Sequence, residues 1–398
     1  MVNQKLLLVI GSVCVVLLVA GYIGANFNAD TLNTEDNTAP EVPNTDPKTT
    51  DNSTEPEPLD PTSNTTQIEG PAEPTDNPDN VTSPVPSVGS PTLSNIDSHE
   101  DALDYVWDNS DVVTINLNTN SITANSDIGL TIDQTTLTIT SAGTYSISGT
   151  LNDGQIIVDT NDEDAVRLIL NGVNIKSTTN APIFVEDAEK AIIILVDGTE
   201  NILTDGQNNQ DNGTISSTDN LTIYGDGSLT VTGNANDAIR SNDGLLIKSG
   251  TITVNSVDDG IRGKDYLVIE GGTINVNSVG DGLKSDNDED STKGLLWIDD
   301  CTVNVTSTQG DAITAQTQLQ INSGTFTLTS GGGSIGVPSS TISTKGLKAG
   351  DSIVVETGVF VISSSDDTIN SNNLVNINGG TFELSTRDDA IHANNVIE

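Results

Sequence analysis

The chain has 398 residues, with 57 Asp and Glu against 14 Lys and Arg, a formal net charge of −43 at pH 7. A surface that negative disfavours nucleic acid and anionic lipid as partners. Two cysteines exclude a disulfide scaffold, and no window carries a sustained helical stripe, which leaves an all-β class.

In chain order, Leu6 to Gly24 is an uncharged, mostly apolar run behind Lys5. Residues 1–27 therefore read as a signal peptide or an N-terminal membrane anchor, and the protein is expected outside the cell, anchored to its surface or secreted. Cys14 sits in mid-run behind Val13, where a lipoprotein site needs a small residue, so it reads as a membrane-buried thiol. Residues 28–95 hold nearly all the prolines and are otherwise Thr, Asn, Asp and Glu. Such a segment cannot offset its ordering entropy and is expected to be a disordered tether. Residues 96–398 form the folded domain. Its first element is expected to be a short helix over Asn95–Asn109, with Ile96, Ala102, Leu103, Val106 and Trp107 on one face and Asp97 as N-cap. Strand-and-turn sequence from Asp111 to about Thr160 reads as the N-terminal cap of a repeat. Coils of irregular length follow, interrupted by a long loop from Asp197 to Gly213.

From Val231 the sequence repeats. Asp237-Ala238-Ile239-Arg240, Asp259-Gly260-Ile261-Arg262 and Asp281-Gly282-Leu283-Lys284 stand 22 residues apart, and Asp311, Lys345, Asp367 and Asp389 continue the series. Within each unit, Leu245, Leu267, Leu296, Leu319, Ile353 and Val375 align, as do Ile252, Ile274, Val303, Phe326, Phe360 and Phe382. Spacing of two inside short β-rich runs is strand periodicity. A strand, turn, strand, turn unit of this length buries its apolar face only by stacking, about 4.8 Å per rung. The expected fold is a parallel β-helix, with aligned phenylalanines stacked up its core. After Ile391 the repeat stops without a polar cap, so more chain is expected beyond Glu398.

The repeat places like charges in register. Asp237, Asp259 and Asp281 share a column, which costs energy on a sheet unless something neutralises it. Calcium, a hard cation taking six to eight oxygens, would turn the column into ligands. Asp258 adds oxygens, and so does the inserted loop with Asp286, Asp288 and Asp290; the best site is expected where that loop folds back on Asp259 and Asp281. The other account is that these acids are solvated turn residues. Arg240, Arg262 and Lys284 form a second column, three residues on. They would hold uronate carboxylates, or else neutralise the aspartates in place of metal. An enzyme reading, β-elimination from a uronate, needs a base; Lys264 and Lys284 are the candidates and neither is singled out. His99, in the leading segment, and His392, in the last copy, are not placed for catalysis. Tyr266 and Trp297 are sugar platforms or strand packing.

Several runs carry a family resemblance: Asp104-Tyr105-Val106-Trp107-Asp108, Ser141 to Thr150, Gly154-Gln155-Ile156-Ile157-Val158, and Asp197-Gly198-Thr199-Glu200-Asn201. They resemble the exported bacterial carbohydrate-binding domain-containing family, whose fold is similar to that of calcium-dependent pectate lyases. The resemblance implies a right-handed parallel β-helix that binds calcium and acidic plant polysaccharide, without lyase activity as a family trait. The expectation is thus a monomeric, calcium-dependent module for a polygalacturonate-like glycan, with a uronate lyase or a structural surface stalk as alternatives.

Overall fold

In the computed structural model, the described residues are Ile96 and 98–398. The expected anchor or signal (1–27), the tether (28–95), Cys14 and the Asp97 N-cap lie outside them.

Short strands with one inward face wind into a parallel solenoid. The hydrophobic columns fall in register: Leu245 sits beside Leu267, Leu267 beside Leu296, and so on through Leu319, Ile353 and Val375. Phe326, Phe360 and Phe382 stack as expected, with centroids 4.7 and 4.6 Å apart and planes within 4° and 2°. Such rings add to their burial a further 0.5–1.5 kcal/mol or so per pair.

Each coil has three strands where the sequence pattern showed two. The first face is built from strands such as Gly244–Ile247, Tyr266–Ile269 and Leu295–Ile298. The second holds Thr251–Ser256, Gly272–Ser278 and Cys301–Ser307. The third holds Asp237–Ser241, Ile261–Gly263 and Leu283–Ser285, so the aspartate motif opens a strand and is not merely a turn. Its inward column, Ile239, Ile261, Leu283, Ile313, Leu347 and Ile369, is fully buried. A three-residue strand has two inward positions, and the second is filled by Gly263, Ser285, Ala315, Ala349 or Ser371, so only one large apolar side chain per coil marks the strand. The expected loop Asp197–Gly213 also contains a strand, Glu200–Thr204, which pairs with Ser228–Thr232; one of its two inward residues is the polar Asn201, which masks the apolar alternation.

One turn shows how backbone freedom is used. Gly250, Gly272, Gly324, Gly358 and Gly380 all take positive φ. A Cβ on Gly272 would stand 2.5 Å from the Gly250 carbonyl oxygen. Where Cys301 fills this register, the positive φ moves back to Asp300, at 40°.

At the N-terminal end two antiparallel hairpins, Val113–Thr119 with Ile122–Ala124 and Leu130–Asp133 with Thr136–Ile139, close the first coil. The helix expected over Asn95–Asn109 does not form over the described residues, 98–109. Residues 102–105 make a turn and Asn109–Asp111 a single 3-10 turn. Leu103 and Val106, meant for the helix's apolar face, are 70% and 64% exposed. The segment is instead a strap across the outside of the first face. Arg167 donates to the carbonyls of Asp104 and Leu103 at 2.8 Å, and Lys190 to the His99 carbonyl at 2.6 Å and the Asp104 carboxylate at 2.9 Å. Bonds from the strand side chains to the strap's own backbone replace those a helix would make internally.

Candidate functional site

The third face carries a ladder of carboxylates, each spent on the coil above. Asp237 Oδ1 accepts the backbone N–H of Asp259 at 3.2 Å, Asp259 Oδ1 that of Asp281 at 2.7 Å, and Asp281 Oδ1 that of Asp311 at 2.7 Å. Asp311 serves Lys345 at 2.7 Å and Asp367 serves Asp389 at 3.1 Å. The ladder therefore has a structural job: it satisfies backbone donors at the corner where the third strand begins. Asp237, Asp259, Asp311 and Asp367 are buried to match.

The second oxygens meet the basic column. Lys284 bridges Asp259 and Asp281 at 2.8 and 2.9 Å. Lys348 reaches Asp311 at 2.8 Å and Asn370 donates to Asp367 at 2.7 Å. Burial works against the Lys284 ammonium, but Asp281 and Asp259 outweigh it and hold its pKa above the usual lysine range. An amine held protonated in this way is not a general base, and Lys264 is paired with Glu289 at 3.1 Å. For Lys284 the neutralising role is the one the geometry displays.

Compensation weakens at the start of the column. Arg240 Nη1 is 4.0 Å from Asp237, a long contact. Arg262 turns away to Asp286, donating from Nε to Oδ2 at 2.9 Å, with an ion-pair contact from Nη2 to Oδ1 at 2.8 Å. Burial and the neighbouring Asp259 charge then push the Asp237 carboxyl up to about 7. Asp237, Asp258 and Asp259 offer carboxylate oxygens within 4.8 Å of one another, as do Asp366, Asp367 and Asp388. Both are clusters able to hold a metal ion. At the first, Arg240 Nε and Arg262 Nη1 are buried without a hydrogen-bond partner.

The acidic insertion has other business. Asp286 is bound to Arg262, Asp290 accepts from Thr292 N and Oγ1 at 2.9 and 2.7 Å, and Asp288 is exposed. Its organiser is Asn287, which sequence reasoning missed. It is buried, donates to Asp265 at 2.5 Å and accepts from the N–H groups of Glu289 and Asp290. Tyr266 and Trp297 are 9% and 4% exposed, packed with Ile96, Leu246 and Val268 beneath the strap, so strand packing is their role. His99 is stacked on Tyr266, with rings 6.0 Å apart.

A family model described as "Carbohydrate-binding domain-containing protein" matches residues 133–390. A relative of that description from Acetivibrio thermocellus is 49% identical over 76 residues, 19% of this chain and 27% of its own length. The match therefore spans little more than a quarter of that relative. A solved structure, described as the polysaccharide lyase-like protein from C. thermocellum in a gadolinium derivative, is 30% identical. It covers 72% of this chain and 96% of its own, with a TM-score of 0.47. With its three-faced solenoid and a family match over most of its length, the chain belongs to the carbohydrate-binding domain-containing family.

Proposed function

We propose that this protein binds an acidic, polygalacturonate-like polysaccharide outside the cell, with calcium, on its third face. The observation that carries the reading is the patch at Asp237, Asp258 and Asp259, where three clustered carboxylates adjoin two guanidinium groups with unused buried donors. The donor set suits a hard cation: all oxygen, and with a carboxyl at Asp237 that burial and like charge hold near pKa 7. Giving one oxygen each, the three carboxylates supply three of the six to eight oxygens, so room remains for oxygens of a glycan. When bound, calcium would supply positive charge against a uronate carboxylate. Arg240 and Arg262 would orient that carboxylate by hydrogen bonding.

The test is retention of the full chain on polygalacturonate, with calcium and with chelator. Binding that requires calcium, and that Asp258→Asn abolishes, supports the reading. Binding that persists in chelator removes calcium from it, and no retention in either condition removes the glycan. The triple change Asp286→Asn, Asp288→Asn and Asp290→Asn locates the ion. If it lies at Asp237, Asp258 and Asp259, the calcium-induced rise in melting temperature survives that change; loss of the rise returns the site to the acidic insertion.

A further inference from the structure

A groove of about 590 Å³ runs along the corner where the third face turns into the first, beside the strap. That volume is within the range of small-ligand sites. Its polar lining includes Glu189, Asn220, Asp243, Asp265 and Lys293, with Ile96, Tyr266 and Leu295 supplying apolar surface. The carboxylate of Asp265 is fully engaged: Asn287 donates to one oxygen and the Lys293 ammonium to the other, both at 2.5 Å. Asp243, one coil below, differs. Its backbone N–H is fixed on Ser241 Oγ at 3.1 Å, yet among the described residues no hydrogen bond or ion pair reaches its carboxylate. Asn220 Oδ1 accepts from Gly244 N at 3.1 Å, which leaves its NH₂ group to donate elsewhere.

Charge narrows the ligand. Glu189, Asp243 and Asp265 face one lysine, and His99 is neutral at physiological pH because burial and Lys190 hold it low. From neighbouring elements Asp219 and Lys264 also bear on Asp243, and Lys264 is already paired with Glu289. A uronate would be repelled. The groove's own solution at Asp265 is an ammonium, carried by Lys293. We propose that the groove is a second sugar site, which takes an amino sugar with its ammonium on the carboxylate of Asp243. The ring hydroxyls would meet the Asn220 amide, and the apolar ring edge would lie against Ile96 and Leu295. The site goes beyond the uronate reading and uses none of its residues.

Calorimetric titration of the full chain with a glucosamine trimer tests it, at about pH 6 and about 0.15 M salt, where diffuse attraction is screened beyond roughly 8 Å. The expected result is saturable binding at one site. N-acetylating the trimer should weaken it by about tenfold or more, since a charge-assisted bond is lost. Asp243→Asn should do the same while calcium-dependent retention on polygalacturonate is unchanged. Equal affinity for the acetylated trimer, an unaffected Asp243→Asn, or attraction that never saturates overturns the proposal. If Asp243→Asn does not fold, the unaltered protein still decides. The His99 ring signals must shift on titration with the trimer, and their failure to move overturns the site. A protein that holds polygalacturonate and ignores the amino sugar sinks the groove alone.

Discussion

Acid should release the strap, and His99 is the reason. Its backbone N–H donates to the Tyr266 hydroxyl at 2.9 Å, while its Nδ1 lies 2.5 Å from the same oxygen. Tyr266 thus accepts from the backbone and donates to Nδ1, which puts the ring proton on Nε2, donating to Thr222 Oγ1 at 2.7 Å. Burial and the Lys190 ammonium, outweighing Asp104 and Glu100, lower the His99 pKa from 6.5 to about 4. The folded value lies below the unfolded one, so the freed strap takes up the proton first. The stabilisation is complete above about pH 6.5 and is lost as pH falls towards 4. At about 1.4 kcal/mol per pKa unit, the loss approaches 3 kcal/mol. Hydrogen exchange of residues 98–107, corrected for the intrinsic pH dependence, reads it directly. Protection should fall across that window in the natural protein and much less in His99→Gln. A His99 ring that titrates near 6.5 by NMR, or identical slopes in the two proteins, refutes the reasoning.

Three further outcomes follow from the core and the ladder. Asp237 has a folded pKa of about 7 against 3.8 in the free chain, so its charge costs stability as pH rises through that interval and fully above it. Asp237→Asn keeps the acceptor for Asp259 N–H and should raise the melting temperature by several degrees at about pH 8 in chelator; a fall would contradict the compensation argument. Phe360→Ala empties the middle of the ring stack and should cost about 3–5 kcal/mol in denaturant unfolding, whereas a loss under about 1 kcal/mol would mean the column collapses to fill the space. Cys301 is buried, and burial together with Asp299 and Asp300 pushes its thiol up to about 12. It should resist alkylation at about pH 8 until the protein unfolds; prompt labelling of the native chain would count against that burial.

The stacking was legible because identical side chains recur at one interval, and register follows from the interval alone. Leu245 over Leu267, and Phe326 over Phe360, needed no knowledge of the third strand. The third strand itself left one large apolar residue per coil, a signal visible only as the column Ile239, Ile261 and Leu283 two places after each aspartate. The strap was misread because Ala102, Leu103, Val106 and Trp107 carry helical spacing, while the groups that hold the segment down, Arg167, Lys190 and Lys248, lie far along the chain. At the site, the aspartate and basic columns were found by alignment. Their partners were not, because a carboxylate that accepts the next coil's N–H and one that waits for a metal have the same letter. Buried Asn287 had no repeat to expose it.

The way charge is distributed over the solenoid then gives the aspartate column its meaning. On the second face, the outward positions of Thr251–Ser256, Gly272–Ser278, Cys301–Ser307 and Thr325–Ser330 hold only Thr and Asn, with no charge at all. A composition this acidic does not by itself force carboxylates into register, since four successive rungs of this face carry none, and its outward acids Glu200 and Glu383 stand on other, separate rungs. On the third face they are in register and buried, which would be destabilising for bare like charges one rung apart. Two devices relieve them: the backbone N–H of the next coil for one oxygen, and a lysine or amide for the other. Both are present at Asp259, Asp311 and Asp367. At Asp237 only the first is close, because Arg240 stands 4.0 Å away and Arg262 is drawn off by Asp286. The ladder is thus neutralised from within along most of its length and left short of positive charge at one rung. That rung, where Asp258 adds a third carboxylate, is where a cation from solution gains most by binding.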